Sequence, residues 1–205
     1  MASSTVCSSG KEAPSAVAVY CGASTVKKSI FPEKAAGLGR CLAGRGIKVV
    51  FGGSAFGLLG TLADAVLEGG GQLTGIIPEF FTRYDGYTAP GEEIIVPDMH
   101  TRKKLMYDSV EAFIALPGGV GTMEELTEML TWYKLDLHQK PIGLLNVDSY
   151  YDHFIGWLSR AIEEGFITHE GSVDSLLVIS EDPADLVEKL CSKWRDSRKL
   201  SEKQS

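Results

Sequence analysis

The stretch A-L-P-G-G-V-G-T-M-E-E, residues 115–125, decides how this chain folds around it. An apolar run over 113–116 ends at Pro117, and three glycines follow within the four positions 118–121. Thr122 then begins a pattern of apolar residues with helical spacing. This order predicts a buried strand that turns into a helix through a glycine-rich loop. Such a loop lets the backbone approach a ligand closely, and the free N–H groups at a helix start bind anions.

The glycine-rich loop has two explanations. A tight strand-to-helix turn often uses one glycine for its conformation alone. Three glycines with a threonine at the helix start exceed that need, so the loop is interpreted as a phosphate-binding site. The sequence contains neither the fingerprint G-x-G-x-x-G nor the P-loop pattern G-x-x-x-x-G-K-[ST]. A standard NAD site and a P-loop nucleotide site are therefore both disfavoured.

Apolar runs alternate with helical patterns along the chain. This alternation predicts an α/β fold: a single Rossmann-like, doubly wound parallel sheet with helices on both faces. Ligands in such sheets bind at the carboxyl ends of the strands, where the strand order reverses. Strands are predicted at 16–21, 47–51, 73–77, 94–96, 112–116, 142–146 and 176–179. Helices are predicted at 31–43, 57–68, 99–109, 122–135 and 183–194. A further helix is predicted to begin after a cap at Asp148 or Ser149 and to end at about 164, and the segment 79–91 is predicted to be irregular.

Length and composition limit the class of protein. The 205 residues suffice for one domain, predicted over 16–195, after a Ser-rich disordered lead at 1–15 and before a polar, frayed tail at 196–205. A net charge of −7 argues against nonspecific nucleic-acid binding but allows a small phosphorylated ligand. No run approaches the roughly 20 apolar residues of a membrane span.

The cysteines and histidines indicate neither disulfides nor a metal site. The cysteines lie far apart and are expected to be free thiols in a reducing compartment, which favours the cytoplasm. The histidines show no metal-ligand spacing, so no metal is expected. These residues are Cys7, Cys21, Cys41 and Cys191, and His100, His138, His153 and His169.

Three cations, Arg102, Lys103 and Lys104, lie in the first turn of a predicted helix, where the helix dipole disfavours them. A solvated face explains Lys104. Arg102 lies one turn from Met99 and from Met106, so it should point inward, where a cation needs an anionic partner. We therefore assign Arg102 a ligand or catalytic role.

Two adjacent carboxylates, Glu124 and Glu125, follow the glycine loop. Acidic residues are favoured in a first helical turn for electrostatic reasons alone. Beside a phosphate loop, one of them is more plausibly a base or the stabiliser of a cation. Adjacent helical residues point about 100° apart, so the two side chains should not reach the same atom. A second glycine-rich turn, Gly52-Gly53-Ser54, leaves helix–sheet packing and ligand contact open as alternatives.

The motifs P-G-G-V-G-T-M-E-E at 117–125, M-H-T-R-K at 99–103 and Y-C-G-A-S at 20–24 together resemble the LONELY GUY family. Members are cytokinin riboside 5′-monophosphate phosphoribohydrolases, often labelled lysine decarboxylases. The resemblance covers Val17 to about Leu190. It implies cleavage of N6-modified AMP into the free base and ribose 5-phosphate, without a cofactor. A carboxylate within 79–91 helps plant members to bind substrate, and only Asp85 loosely matches it here.

The resemblance also implies residue roles. Arg102 and Glu125 match the catalytic pair of the family. The residues that match substrate-binding positions of the family are Lys103, Gly118, Gly119, Val120, Gly121, Thr122, Met123, Glu124 and Thr131. The turns after the first two strands and the start of the Arg102 helix add Ser24, Gly52, Gly53 and Met99 as further candidates.

Two other functions are alternatives to hydrolysis. A noncatalytic nucleotide or cofactor carrier of the same fold, such as a molybdenum-cofactor carrier, would bind without turnover. A pyridoxal phosphate decarboxylase would show visible cofactor absorbance, which we do not expect.

A homodimer is expected, because the helix from Thr122 carries more apolar surface than one sheet face needs, and because the family resemblance points the same way. The late aromatic residues are interpreted as core or dimer interface; they are Trp132, Tyr133, Tyr150, Tyr151 and Trp157.

Overall fold

The computed structural model describes residues 11–84, 89–168 and 171–204, with side chains as far as residue 199. These residues form one sheet of seven parallel strands in the order β4-β3-β2-β1-β5-β6-β7. The strands are β1 Ala16–Tyr20, β2 Lys48–Phe51, β3 Leu73–Pro78, β4 Glu92–Val96, β5 Ala112–Ala115, β6 Ile142–Leu145 and β7 Val178–Ser180. The helices are α1 Ile30–Gly44, α2 Gly57–Glu68, α3 Met99–Asp108, α4 Val120–Lys134, α5 Asp152–Glu163, α6 Val173–Leu176 and α7 Pro183–Gln204.

Helices cover both faces of the sheet because the strands are apolar on both sides. Val17 and Val19 of β1 face a core shared with α1, α2 and α7. Ala18 and Tyr20 of the same strand face a second core shared with α3, α4 and α5. Alternate residues of a strand point to opposite faces, so a strand that is apolar at every position needs cover on each side. The predicted doubly wound α/β fold is confirmed.

The strand order reverses at β1, which lies between β2 and β5. Two neighbouring crossovers therefore leave this point in opposite directions, and a crevice forms above the carboxyl ends of the central strands. The loops that follow β1, β2 and β5 meet at this edge. They are the three small-residue turns that the sequence singles out.

Two helix starts differ from the prediction. Helix α4 begins at Val120 and not at Thr122, because the Met123 N–H already donates to the Gly119 carbonyl at 3.1 Å. Helix α5 begins at Asp152, and neither Asp148 nor Ser149 caps it. Both residues have a positive φ, 53° and 57°, which is the left-handed conformation and cannot start a right-handed helix.

Other boundaries also move. Leu176, predicted in the last strand, ends the short helix α6, and β7 follows at 178–180. Strand β4 begins two residues earlier than predicted, at Glu92. The segment predicted as irregular contains a 3₁₀ helix, Glu79–Arg83, while residues 85–88, and with them the loose match Asp85, lie outside the described residues.

Near both ends of the described part, the structure shows a helix or contacts that the sequence analysis did not predict. Helix α7 continues to Gln204 instead of ending near 194, so the predicted frayed tail is helical there. One reason is that Arg195 Nη1 donates to the Glu12 carbonyl at 2.8 Å. Ser15 of the predicted lead donates from its N–H to Glu111 Oε2 at 2.6 Å. Residues 1–10 of that lead lie outside the described part.

Within the described residues, no helix has the length and apolarity that crossing a membrane requires. Cys21, Cys41 and Cys191 are free thiols, as predicted, and Cys7 lies outside the described residues.

Candidate active site

A cleft of about 600 Å³ opens at the carboxyl edge of the sheet. The loops after β1, β2 and β5 line it, together with the beginnings of α3 and α4. This is the position that the strand order favours for a ligand. The cleft brings together ten of the predicted site residues: Ser24, Gly52, Met99, Arg102, Gly118, Gly119, Gly121, Thr122, Glu124 and Glu125.

The glycines of the loop serve two purposes at different positions. A Cβ at Gly118 would lie 2.1 Å from Thr122 Oγ1 and 3.0 Å from the Gly22 nitrogen, so this glycine is needed for packing. A Cβ at Gly119 or at Gly121 would meet no described atom within 4 Å. Gly119 is the N-cap of α4 and lines the cleft. Because the space around it is free, the first N–H groups of that helix are open towards the cleft.

Arg102 points into the protein, as its spacing from Met99 and Met106 predicts. Helix α3 begins after Asp98, whose side chain accepts a hydrogen bond from the Thr101 N–H at 2.8 Å. One turn further, Arg102 Nη2 donates to Glu125 Oε1 at 3.1 Å, and the two side chains are 11% and 9% exposed. Arg102 Nε is buried and has no hydrogen-bond partner among the described residues. Arg102 as a residue lines the cleft.

Glu125 is the buried carboxyl of the site. Burial raises its pKa to about 7, although the charge of Arg102 acts in the opposite direction. A carboxyl with a pKa near 7 gains and loses a proton readily at neutral pH, which is the property of a general acid or base. The same pKa keeps much of the group ionised at neutral pH, so it can also face a developing positive charge.

Glu124 points away from Glu125, as helical geometry predicts. Its carboxylate forms an ion pair with Lys103, whose ammonium also donates to Glu128 Oε1 at 3.1 Å. Burial lowers the pKa of Lys103, but the hydrogen bonds that its ammonium donates to the two glutamates outweigh this effect and hold the pKa above its ordinary value. Lys103 is therefore a buried cation engaged by α4.

Close packing explains why both positions after β2 are glycines. A Cβ at Gly52 would lie 2.4 Å from Arg102 Nη2, so this glycine makes room for the guanidinium. Gly53 has a φ of +80°, and a Cβ there would lie 2.2 Å from the side chain of Ile77. Packing thus accounts for Gly53, whereas Gly52 both lines the cleft and admits Arg102.

Five predicted contact residues do not line the cleft: Gly53, Lys103, Val120, Met123 and Thr131. Thr131 lies further along α4, where its hydroxyl donates to the Thr127 carbonyl at 2.7 Å. It lines a separate apolar groove together with Trp157. The structure therefore does not bring Thr131 to the pair Arg102 and Glu125, and its substrate contact stays a prediction.

The sequence analysis missed several cleft residues, among them Cys21, Val26, Phe31, Leu59, Phe81 and Tyr150. Tyr150 was interpreted as core or interface, but it lies just after β6 at the same edge of the sheet, and this position was the available signal. Phe81 lies in the segment predicted as irregular. Burial, and then the charge of Glu125, raises the pKa of the Cys21 thiol, which disfavours a thiolate nucleophile.

Known structures share this fold. A molybdenum cofactor binding protein from Rippkaea orientalis superposes with a TM-score of 0.63 at 20% identity and covers 86% of this chain and 95% of its own. The molybdenum cofactor carrier protein of Chlamydomonas reinhardtii gives a TM-score of 0.65 at 17% identity, covering 88% and 98%. At such identities, the likeness concerns the fold alone.

Sequence relatives are more specific. A probable cytokinin riboside 5′-monophosphate phosphoribohydrolase of Oryza sativa subsp. japonica is 44% identical over 85% of this chain and 71% of its own length. The enzymes of that name from Arabidopsis thaliana and Rhodococcoides fascians are 44% and 45% identical, over 85% and 82% of this chain and 80% and 86% of theirs. Residues 59–190 match the family described as possible lysine decarboxylase. The chain therefore belongs to the LONELY GUY family, the phosphoribohydrolases that its motifs resemble.

Proposed function

We propose that this protein hydrolyses the N-glycosidic bond of N6-modified AMP, a cytokinin riboside 5′-monophosphate, and also that of AMP itself. The products are the free base and ribose 5-phosphate. The observation that carries the proposal is the buried Arg102–Glu125 pair beside the glycine-rich start of α4. The identity of 44% to phosphoribohydrolases over most of the chain supports the same chemistry.

The 5′-phosphate binds at the start of α4. Gly119 and Gly121 leave open space there, and the first N–H groups of the helix lack intrahelical acceptors. The helix dipole adds a partial positive charge that favours a phosphate dianion. This remote anchor supplies binding energy that positions the reacting carbon, C1′, beside Glu125.

Glu125 acts at C1′. As the bond from C1′ to the base nitrogen breaks, its electron pair leaves with the base and the ribose becomes an oxocarbenium-like cation. The ionised carboxylate stabilises this cation, or it accepts a proton from the water whose oxygen forms the new bond to C1′. In either case the proton lost by the water ends on the departing base, directly or through solvent, so that the neutral base is released and the carboxylate is restored. A pKa of about 7 lets Glu125 do either at neutral pH.

Arg102 has a double role. Its Nη2 holds Glu125 in place, and because Arg102 lines the cleft, its guanidinium can donate to the substrate or to the charge that develops on the departing base. No step of this scheme uses a cofactor or a metal.

The proposal is tested by incubating the protein with AMP, isopentenyladenosine 5′-monophosphate and zeatin riboside 5′-monophosphate and separating the products by chromatography. Release of the base together with an equal amount of ribose 5-phosphate is expected. Binding of these nucleotides without release would contradict hydrolysis and favour a carrier. The relative rates also identify the preferred N6 substituent.

We further propose that the protein acts in the cytoplasm as a homodimer and does not bind nucleic acid. The groove along α4 and α5 supports the dimer, because its residues Leu135 and Trp157 are large, apolar and more than half exposed. Light scattering at micromolar concentration should give about twice the chain mass of 22.1 kDa, and a value equal to that mass would contradict the dimer.

A further inference from the structure

The peptide between Gly118 and Gly119 has a glycine on each side. A peptide unit flips by coupled rotation about the bonds on either side of it, and glycine permits conformations that other residues avoid. Here both flanking residues are glycines. This unit can therefore adopt more orientations than one between bulkier residues, and a group that holds its carbonyl selects among them.

The carbonyls around this peptide are fixed by the fold. The Pro117 carbonyl accepts from the Gly22 N–H at 3.1 Å, and the Gly119 carbonyl accepts from the Met123 N–H at 3.1 Å. Both partners are backbone groups, one in the loop after β1 and one in α4. The Gly118 carbonyl between them instead accepts from a side chain, the Tyr150 hydroxyl, at 2.7 Å.

Tyr150 is well held for this purpose. Its ring meets Phe31 edge-on, with 5.9 Å between ring centroids. An ion pair between Lys28 and Asp148 joins the loop after β1 to the turn that carries Tyr150. The neighbouring Tyr151 is fixed by its N–H, which donates to Asn146 Oδ1 at 2.7 Å. These contacts hold the backbone and the ring of Tyr150 in the position from which its hydroxyl reaches the glycine loop.

We infer that Tyr150 is a positioning residue for the phosphate of the substrate, a conclusion that rests on the proposed function. In a trans peptide, the C=O and the N–H point in opposite directions. By holding the Gly118 carbonyl, the Tyr150 hydroxyl therefore fixes the direction of the Gly119 N–H at the start of α4. A loop that starts in the correct orientation binds the phosphate without first paying an ordering cost.

The test is Tyr150→Phe, which keeps the ring and its contact with Phe31 but removes the hydroxyl. Tyr151→Phe is the matched control, because its buried hydroxyl also bonds to a backbone carbonyl, that of Leu116 at 2.6 Å, before the glycine loop. Calorimetry measures the Kd of ribose 5-phosphate and adenosine for both variants and the wild type. The Kd of AMP is measured for the same three proteins carrying Glu125→Gln, so that AMP is not consumed during the titration.

Tyr150→Phe should raise the Kd of AMP and of ribose 5-phosphate roughly three- to tenfold, the worth of one neutral hydrogen bond. The Kd of adenosine should change less than about twofold, and Tyr151→Phe should leave the ratio of the AMP and adenosine constants unaltered. Equal weakening of AMP and adenosine by Tyr150→Phe, or no change in either, would overturn the inference. Absence of base release by a wild type that binds AMP would contradict the proposed function, whereas the binding comparison would still decide the role of Tyr150.

Discussion

Arg102 Nη2 lies 3.1 Å from Glu125 Oε1, and this ion pair joins two helices, α3 and α4, that follow different strands. Both side chains are almost completely buried, yet both line the cleft. Buried charges are costly, and a pair of this kind is weak support for stability by itself. The position of the pair beside the glycine-rich loop is better explained by a catalytic role, and the following predictions test that explanation.

Glu125→Gln should abolish turnover and leave nucleotide binding nearly intact. Glutamine keeps the size of the side chain but has neither the charge nor the basicity of a carboxylate. An interaction made mainly in the transition state affects kcat rather than binding, and general base catalysis is worth about 10²- to 10⁴-fold. Steady-state kinetics and calorimetry measure the two effects. Retention of more than about a tenth of the wild-type kcat would make the assignment of Glu125 wrong.

Glu124→Gln is the matched control for that experiment. Its carboxylate is half exposed and forms an ion pair with Lys103, so its loss should reduce kcat less than the loss of Glu125. An equal or larger loss of kcat would mean that the catalytic carboxylate is Glu124. Arg102→Ala, in contrast, should weaken both binding and turnover, because it removes a cation near an anionic ligand.

The activity should depend on the ionisation of Glu125, whose pKa is about 7. If its carboxylate form is the active one, kcat falls tenfold per pH unit well below pH 7 and levels off above it. The second ionisation of the substrate phosphate, near pH 6, could give a similar limb. The residual activity of Glu125→Gln distinguishes the ionisation of Glu125 from that of the substrate. If Glu125 is responsible, the pH profile of this variant should lack the acidic limb. A limb that persists in this variant would assign it to the substrate.

The buried Glu125 should also make stability depend on pH. Its pKa rises from an ordinary value of 4.5 to about 7 on folding, so the native state binds more protons than the unfolded state between these values. The free energy of unfolding therefore falls as the pH rises through this range, by about 3 kcal/mol from this group. Urea denaturation at pH 4.5 and pH 8 measures the free energy of unfolding of the wild type and of Glu125→Gln. The gap between the two proteins should change between these pH values by that amount. A gap between the two proteins that is constant with pH would refute the elevated pKa.

Two glycine substitutions should have different effects. Gly118→Ala forces a Cβ against Thr122 Oγ1 and should lower the free energy of unfolding by about 1–3 kcal/mol, as overpacking does. Gly119→Ala meets no described atom and should leave the fold intact, while its methyl group narrows the approach to the helix start and weakens AMP binding. Thermal melts and AMP titrations compare them. An equal loss of stability in both variants would contradict the division of roles within the loop.

The fold could be predicted from the sequence because its strands are continuous apolar runs and its helices keep a clear period. The regions that escaped prediction depend on contacts that no local pattern carries. Helix α7 extends beyond Trp194 because Arg195 reaches Glu12, far away in the chain. The start of α5 is displaced because Asp148 and Ser149 adopt left-handed conformations, which no local signal predicted.

The centre of the site could also be predicted, since Arg102 and the glycine loop break local rules in ways that only a ligand or a buried partner explains. The walls of the cleft could not be predicted, because aromatic residues such as Phe31 and Tyr150 fit a core or an interface equally well. Their position at one edge of the sheet becomes evident only when the strands are assembled.

The most direct test of the central claim compares a nucleoside 5′-monophosphate with its nucleoside. The claim is that the helix start at Gly119 holds the 5′-phosphate while Arg102 and Glu125 promote cleavage at C1′. The kcat/KM for AMP, measured as adenine released, should then exceed that for adenosine at least about a hundredfold, the worth of two charge-assisted hydrogen bonds at about 1.5 kcal/mol each. Comparable values of kcat/KM for AMP and adenosine would contradict the account.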